Sequence, residues 1–278
     1  MEFNQVVGSR RSIRWFKTWE TVPQDKIQRI LEAVRLTTCP GNLQPWRVVV
    51  VKRDELDDDV REELLKADNW QGAHVQAPVW MYFYGDPDQA EKDRFIKNTG
   101  DLLDIGALPT AYGWNTETIK AAIHEGVETP EGMASIHELI GGLTPELINW
   151  IAYSETIGAC AQATLAATNQ GLGCCLHMVA KPSMQERVKE LLGVPARCVP
   201  VWNLLLGYPA ESADGGGQRV RDPWETLFYE GKWGNVFPRD AKVVEQLKEE
   251  GLIQPEAPLP NRFEELRFLS RMYGYPED

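Results

Sequence analysis

Apolar residues in the first third of the chain follow two different periods. Residues 22–37 place apolar side chains three and four positions apart, with Pro23 near the start, which predicts an amphipathic helix. Residues 54–67, led by acidic side chains, are expected to form a second helix. The runs 47–52 and 79–84 are β-branched or aromatic and stop at charged, Gly or Pro residues, so we expect two buried strands.

The helical period returns strongly at residues 150–170, which are rich in Ala, Gly and Ser. A helix of small residues packs closely against its neighbour, here plausibly a symmetry mate. Further elements are expected as follows: a strand or extended loop at 174–179, a helix at 184–193, a strand at 199–209, a Gly-rich loop at 210–217, and tail helices at 240–251 and 262–272.

Residues 86–149 have many Gly, Pro and charged residues and no long apolar period. We expect an insertion with short helical pieces, near 117–125 and 134–141, that serves as a substrate lid or as an arm bracing a dimer. In the lid alternative, Tyr112 and Trp114 would cover an aromatic substrate. The few strands and irregular linkers favour one α+β domain, a sheet flanked by helices, with a C-terminal extension at about 230–278.

Composition narrows the classes of protein that fit. The 278 residues carry a net charge of −12, which argues against a nucleic-acid or anionic-membrane surface. No apolar run approaches the length of a membrane span, and the five cysteines form no CxxC pair, so we expect a soluble cytoplasmic protein with reduced thiols. Residues 1–53 nevertheless hold ten Lys and Arg against four acids, which could dock a phosphorylated ligand.

Two basic groups could bind such an anion. Three guanidiniums and a hydroxyl occur within five positions, and they suit bidentate capture of a phosphate or a ribityl chain: Arg10, Arg11, Ser12 and Arg14. Arg219 and Arg221 are two residues apart, so both side chains can point toward the same anion. A solvated basic surface is the alternative for both groups.

A rigid loop is predicted between the first helix and the first strand. Pro40, Gly41 and Pro45 restrict its backbone and present the amides of Asn42 and Gln44. A carboxamide both donates and accepts, so this pair could read the N–H and C=O edge of a heterocycle. A capped turn would account for the same residues.

Other chemistries find little support. The segment that begins at Gly171 lacks the third glycine of a dinucleotide fingerprint and follows a helix instead of opening one. Cys174 and Cys175 are adjacent in an extended segment, so they should point to opposite faces and pack rather than form a redox pair. The four histidines have no metal-ligand spacing, and no hydrolase or kinase motif is present.

The order of these motifs resembles the FMN-dependent nitroreductase family. An RRSxRxF-like segment at 10–16 is followed by an SPxNxQPW-like loop at 39–46, with Cys39 in place of the usual serine. An Ala-rich helix ending in GLG comes next at 159–173, then a strand ending in GYP at 207–209 and a basic pair before a proline. The resemblance covers roughly residues 7–85 and 150–229.

The resemblance implies an intertwined homodimer with a mostly antiparallel sheet and FMN at the subunit interface. It implies that Arg10, Arg11, Ser12 and Arg14 hold the phosphate and ribityl side, completed by Arg219 and Arg221. Asn42 and the backbone of Cys39, Pro40 and Gly41 would reach the flavin from the partner, supported by Gln44. The ring would pass Leu176, His177 and Met178, with an N–H of Met178 at N5. The Pro-x-Glu-Gly pattern of the best-known members is absent here.

The implied activity is reduction of FMN by NADPH or NADH, followed by hydride transfer to a nitroaromatic or related small aromatic acceptor in the same space. The flavin carries the chemistry, so no catalytic side chain and no metal are expected. The same fold also fits a reductive dehalogenase, a flavin-fragmenting benzimidazole synthase, an oxidase of a natural product, or a flavin-binding protein without turnover.

Overall fold

The computed structural model describes residues 1–108, 115–121, 144–179 and 181–276. Tyr112, Trp114 and the helix expected near 134–141 lie outside the described residues, so the lid and arm alternatives both stay predictions.

A four-stranded antiparallel sheet forms the centre of the described fold, in the order β1-β2-β4-β3. Its strands are β1 (Trp46–Lys52), β2 (Val79–Gly85), β3 (Gly173–His177) and β4 (Val199–Gly207). This confirms the prediction of an α+β fold with a mostly antiparallel sheet. β2 is buried along its whole length because β1 and β4 flank it and helices cover both faces. β1, predicted to be buried, is an edge strand whose Val48–Val50 stretch is only half-buried.

The described residues contain ten α-helices. They are α1 (Phe3–Ser9), α2 (Gln24–Arg35), α3 (Asp58–Ala67), α4 (Gly72–Gln76), α5 (Lys92–Asp104), α6 (Thr116–Lys120), α7 (Pro145–Asn169), α8 (Pro182–Leu191), α9 (Ala241–Glu249) and α10 (Arg262–Met272). None of them is long and apolar enough to cross a membrane.

Two hydrophobic clusters sandwich the sheet. On one face, α2 and α7 bury Ile30 and the small Ala163 against Met81 of β2. On the other face, α3 and α8 bury residues such as Leu64 against Trp80. Cys174 and Cys175 belong to different clusters, as the alternation of side chains along a strand requires, and both are free thiols.

Three helices differ from expectation. α5 has 13 residues although only short helical pieces are expected there, because its buried face includes Asn98, Thr99 and Gly100 and therefore gives no apolar period. α7 begins at Pro145, five residues before the predicted start, where the hydroxyl of Thr144 caps it by accepting from the N–H of Leu147. α1 buries only two residues, too few to produce a signal.

Candidate functional site

The basic N-terminal segment lies along the free edge of β3. Ser12 forms a parallel bridge with Cys174, and the N–H of Ile13 donates to the carbonyl of Cys174 at 2.9 Å. One carboxylate oxygen of the buried Glu211 accepts from the backbone N–H groups of Arg14 at 2.6 Å and Trp15 at 3.1 Å. These contacts fix the backbone and leave the Arg14 side chain exposed.

Four guanidiniums gather at the end of this segment. Burial lowers the pKa of Arg11, and the positive charges of Arg10, Arg219 and Arg221 lower it further, whereas the nearby carboxylate of Asp214 raises it, so these groups lie close together. In the described part of the chain, Arg10, Arg14, Arg219 and Arg221 form no salt bridge; Arg14, Arg219 and Arg221 donate to backbone carbonyls of nearby residues at 3.2 to 3.3 Å. A cationic cluster without carboxylate partners is suited to bind a phosphate.

Arg11 differs from its neighbours. Its side chain is buried and donates to the carbonyls of Gly8 at 2.5 Å and Arg10 at 3.1 Å, and to the amide oxygen of Gln254 at 2.7 Å. Only Nε is left without a hydrogen-bond partner. Arg11 therefore joins the basic segment to the C-terminal tail; its contact with phosphate stays a prediction, and these bonds favour a structural role.

The Gly-rich loop that precedes Arg219 is packed rather than open. Gly215, Gly216 and Gly217 are buried and have φ values of 55°, 78° and 115°. A Cβ on Gly216 would lie 2.3 Å from the side chain of Arg262, and one on Gly217 would lie 2.7 Å from the backbone of Ala257. The glycines allow the loop to pass between Arg11 and the tail, which sets the position of Arg219 and Arg221.

The predicted rigid loop is present at residues 39–44, with a 3₁₀ turn at Pro40–Asn42. Gly41, Asn42 and Gln44 all have positive φ values. The amide of Gln44 donates to the side-chain oxygen of Asn42 at 2.8 Å, and Asn98 of α5 donates to the Asn42 carbonyl at 2.9 Å. The N–H of Gln44 donates to the Cys39 sulfur at 3.3 Å, and burial raises the pKa of that thiol. The two amides thus brace each other, which leaves the Asn42 NH₂ group available.

Gly41→Ala is expected to displace this loop and destabilise the protein. Gly41 has φ 55°, and a Cβ there would lie 2.8 Å from the ring of Phe95. Gly106→Ala is the matched control, since Gly106 has φ 72° with no atom within 4 Å of the added Cβ. Both variants should lose roughly 1 kcal/mol from the backbone strain, and Gly41→Ala should lose more because of the clash. Equal midpoints in urea unfolding would contradict this.

The loop and the basic segment occupy opposite corners of one subunit. Ser12 is level with Cys174 on β3, and the pairing runs from Cys174 through Leu206 and Val79 to Lys52 at the far end of β1. The loop precedes Trp46, at the other end of β1. Four inter-strand spacings, counting the bridge from Ser12 to Cys174, and six residues of strand separate the corners, about 19 Å across and about 20 Å along the sheet. Asn42 and Arg10 of one chain therefore do not face the same ligand.

A cavity of about 370 Å³ opens beside the basic segment. Arg14, Gln71 and His177 line it, and the C-terminal Tyr275 closes one side. The charges of Arg14 and Arg10 both act on the thiol of Cys175, which also lines the cavity, although burial dominates and raises the pKa of that thiol. Of the predicted phosphate residues, Arg14 lines this cavity, together with His177 of the predicted ring segment.

The side chains of the three residues in the predicted ring segment lie in different environments. Leu176 packs against the core cluster under α2 and α7. His177 lies on the opposite face of β3 and lines the cavity. Met178 follows the strand with 44% of its surface exposed. Met178 and His177 are thus accessible to a ligand, whereas the Leu176 side chain is mostly committed to the core.

His177 belongs to a hydrogen-bonded row that sequence analysis missed. Its Nε2 contacts one oxygen of Asp68, whose other oxygen lies 2.8 Å from Nδ1 of His74. Nε2 of His74 is 3.2 Å from the hydroxyl of Tyr82. Asp68, His74 and Tyr82 are buried, and only His177 is partly exposed. Positions 68 and 177 are 109 residues apart, so no local pattern could have joined them.

The pKa shifts indicate which groups of this row carry a proton at neutral pH. Burial favours the neutral carboxyl of Asp68, but hydrogen bonds from His177 and His74 outweigh it and lower the pKa. Burial lowers the pKa of His74 and raises that of Tyr82 well above its ordinary value. At neutral pH, Tyr82 therefore donates to a neutral His74, and His74 donates through Nδ1–H to an ionised Asp68.

Stability is expected to fall on acidification below the ordinary His74 pKa of 6.5. Because burial lowers this pKa in the folded protein, the unfolded chain takes up protons that the native state does not, and the loss continues down to the folded pKa. Asp68, with a pKa lowered from 3.8, contributes a second loss of the same sign at more acidic pH. Melting temperatures of the wild type and His74→Gln between pH 4 and 8 check this; parallel curves would contradict it.

Comparison with known proteins identifies the family of this chain. The Nitroreductase family model matches residues 7–208. NADH dehydrogenase of Thermus thermophilus is 30% identical over 208 residues, which is 73% of this chain and 84% of that protein. Iodotyrosine deiodinase 1 of Mus musculus is 22% identical over 218 residues, 76% of this chain but only 64% of its own length.

Solved structures show the same fold. NADPH:FMN oxidoreductase from Vibrio harveyi, complexed with NAD⁺, superposes with a TM-score of 0.55 at 18% identity and covers 89% of this chain and 84% of that one. The family match over most of the chain and the relative at 30% identity confirm the predicted fold and the predicted oxidoreductase class. This chain belongs to the nitroreductase family.

Proposed function

We propose that the chain is an FMN-dependent NAD(P)H oxidoreductase that works as a homodimer and reduces a small aromatic acceptor. The observation that carries the proposal is the guanidinium cluster without carboxylate partners, adjoining the cavity that Arg14 and His177 line. The donor set fits FMN: a cationic site for a phosphate dianion lies next to a cavity whose walls mix polar and apolar side chains.

Specific side chains would hold FMN in this arrangement. Arg10, Arg219, Arg221 and the hydroxyl of Ser12 would bind its phosphate, and Arg14 lies between that end and the cavity. His177 and Met178 would border the ring. Bound FMN supplies the chemistry, because it accepts a hydride from NADPH or NADH and passes it on. The protein fixes the ring and excludes water, so a nucleophilic side chain is not required.

The incomplete site within one chain supports the homodimer. Asn42 lies at the corner of the sheet opposite to Arg10, so it can contribute only to the site of a second copy. Exposed aromatic residues support such an association: Trp150 on α7 and Trp233 in the tail are 63% and 88% exposed. Exposed apolar side chains of this size are typical of an interface that another subunit covers.

A second candidate acceptor is a halogenated phenol, because iodotyrosine deiodinase 1 is among the relatives. Reductive removal of a halide would use the same hydride source and the same cavity. The two candidates differ in the acceptor alone, so one assay distinguishes them.

The test is anaerobic spectroscopy on the purified protein. We expect a yellow protein with one FMN per subunit, whose colour bleaches on addition of NADPH or NADH and returns with a nitroaromatic. Return of the colour with an iodophenol and release of iodide would favour the dehalogenase. Retained colour with both nucleotides would contradict the reductase and leave a flavin-binding protein without turnover.

A further inference from the structure

We propose that His177 transfers the proton that completes reduction of the acceptor, and that Asp68, held by His74 and Tyr82, is its positioning residue. This inference rests on the proposed function. Hydride transfer to a quinone or nitro group delivers two electrons and one proton, and a second proton must reach an oxygen of the acceptor. A side chain beside the flavin ring would supply this second proton if it gives up a proton and then takes another from water.

The position of His177 suits this role. It lines the cavity with Arg14 and Gln71, and 23% of its side chain is exposed, so water can return a proton to it. Its Nε2 is engaged by Asp68. No hydrogen bond joins Nδ1 to any of the described residues, which leaves that nitrogen to carry the transferred proton.

The buried row gives the imidazole a fixed orientation. The carboxylate of Asp68 accepts Nε2–H and so keeps the neutral ring with its lone pair on Nδ1. The other ionisable groups that face His177 are His74 and Tyr82 within the row and, around the cavity, Arg14, Cys175 and Tyr275. Asp68 is buried, and within the described part of the chain its ion-pair partners are His74 and His177, with no Lys or Arg among them.

Two further features favour a ligand at this place. Tyr82, Asn203 and His177 are directly opposite one another on three adjacent strands, and therefore share one face of the sheet. Asn203 is buried, and its NH₂ group has no hydrogen-bond partner; it lines a small pocket with Tyr82 and Met178, separate from the cavity that His177 lines. Asn69 and Trp70, which follow Asp68, both have positive φ values. Unpaired buried donors and strained backbone cluster at functional sites.

With a quinone as the acceptor, bonds, protons and electrons balance in the proposed step. The hydride forms one new bond to the acceptor and leaves one oxygen as an anion. Nδ1–H of the protonated His177 gives its proton to that oxygen, and the neutral ring takes a proton from water. No further oxidant or reductant is needed, since NADPH or NADH supplies both electrons.

The test compares two electron acceptors in the FMN-loaded enzyme after reduction by NADPH. para-Benzoquinone requires a proton, whereas ferricyanide takes electrons alone. In stopped-flow mixing, His177→Asn should slow reoxidation by the quinone about 100-fold more than reoxidation by ferricyanide. Asp68→Asn should slow the quinone reaction less.

Controls make the outcome decisive. Lys189→Gln removes another buried charge, 3% exposed and outside this row, and should change neither rate. An unchanged quinone rate in His177→Asn, or equal losses with both acceptors, would overturn the proton-transfer role. A wild type that NADPH and NADH do not reduce would instead overturn the proposed function.

A second measurement needs no flavin. Nitrogen-15 spectra of the apoprotein at alkaline pH should show His177 as the Nε2–H tautomer in the wild type and as a mixture of tautomers in Asp68→Asn. The same tautomer in both proteins would overturn the positioning role of Asp68.

Discussion

Replacing Arg10 and Arg221 together with alanine is expected to weaken FMN binding by at least about 100-fold. Each lost hydrogen bond to a charged phosphate is worth about 1.5–3 kcal/mol, and about 1.4 kcal/mol is a tenfold change in affinity. The fold should survive, because Arg10 is half-buried, Arg221 is exposed and neither forms a salt bridge in the described residues. Fluorescence titration of the apoprotein with FMN measures the change.

Two controls separate phosphate binding from a general loss of charge. Arg29 and Arg35 lie exposed on α2, so the double alanine variant there removes the same charge and should bind FMN normally. Arg10→Lys with Arg221→Lys keeps the charge but loses the bidentate geometry, and should fall between the alanine variant and the wild type. Wild-type flavin content in the Arg10 and Arg221 alanine variant would contradict the phosphate assignment.

The second large effect is expected at Glu211. Its carboxylate is buried, forms an ion pair with Arg262 at 2.5 Å and accepts from the backbone N–H groups of Arg14 and Trp15. Glu211→Ala would leave Arg262 with one acidic partner and two buried N–H groups without acceptors. Breaking a buried pair in this way costs about 3–5 kcal/mol, which for a chain of this size lowers Tm by roughly 6–20 °C.

Glu265→Ala is the matched control for Glu211. Glu265 bonds to the same Arg262 at 2.7 Å, but its side chain is 26% exposed, against 1% for Glu211. It should therefore lower Tm much less, since a more exposed pair contributes about 0–1 kcal/mol. Glu211→Ala should also weaken FMN binding, because the backbone of Arg14 is no longer held. Equal changes in Tm for the two variants would contradict the role assigned to Glu211.

Some of the features behind these predictions are indicated by the sequence, and others are not. The RRSxRxF-like segment, the Pro-rich loop and the basic pair are short motifs, so their residue types and order already indicate a phosphate-binding flavoprotein. Strands β2 and β4 could also be predicted from the sequence, because buried strands are continuous apolar runs. Helix α5 could not be predicted, because the face it buries is largely small and polar.

Local periodicity in the sequence predicted most elements, and the order of the short motifs carried the resemblance to the family and its cofactor class. Which residues meet depends on the tertiary structure. It joined His177 to Asp68 across 109 positions, buried Arg11 against the tail and held Arg14 through Glu211. Such contacts depend on how separate elements pack, and one sequence carries no local pattern for them. The structure places the two motifs at opposite corners of the sheet, and we propose that a second copy of the chain completes the site.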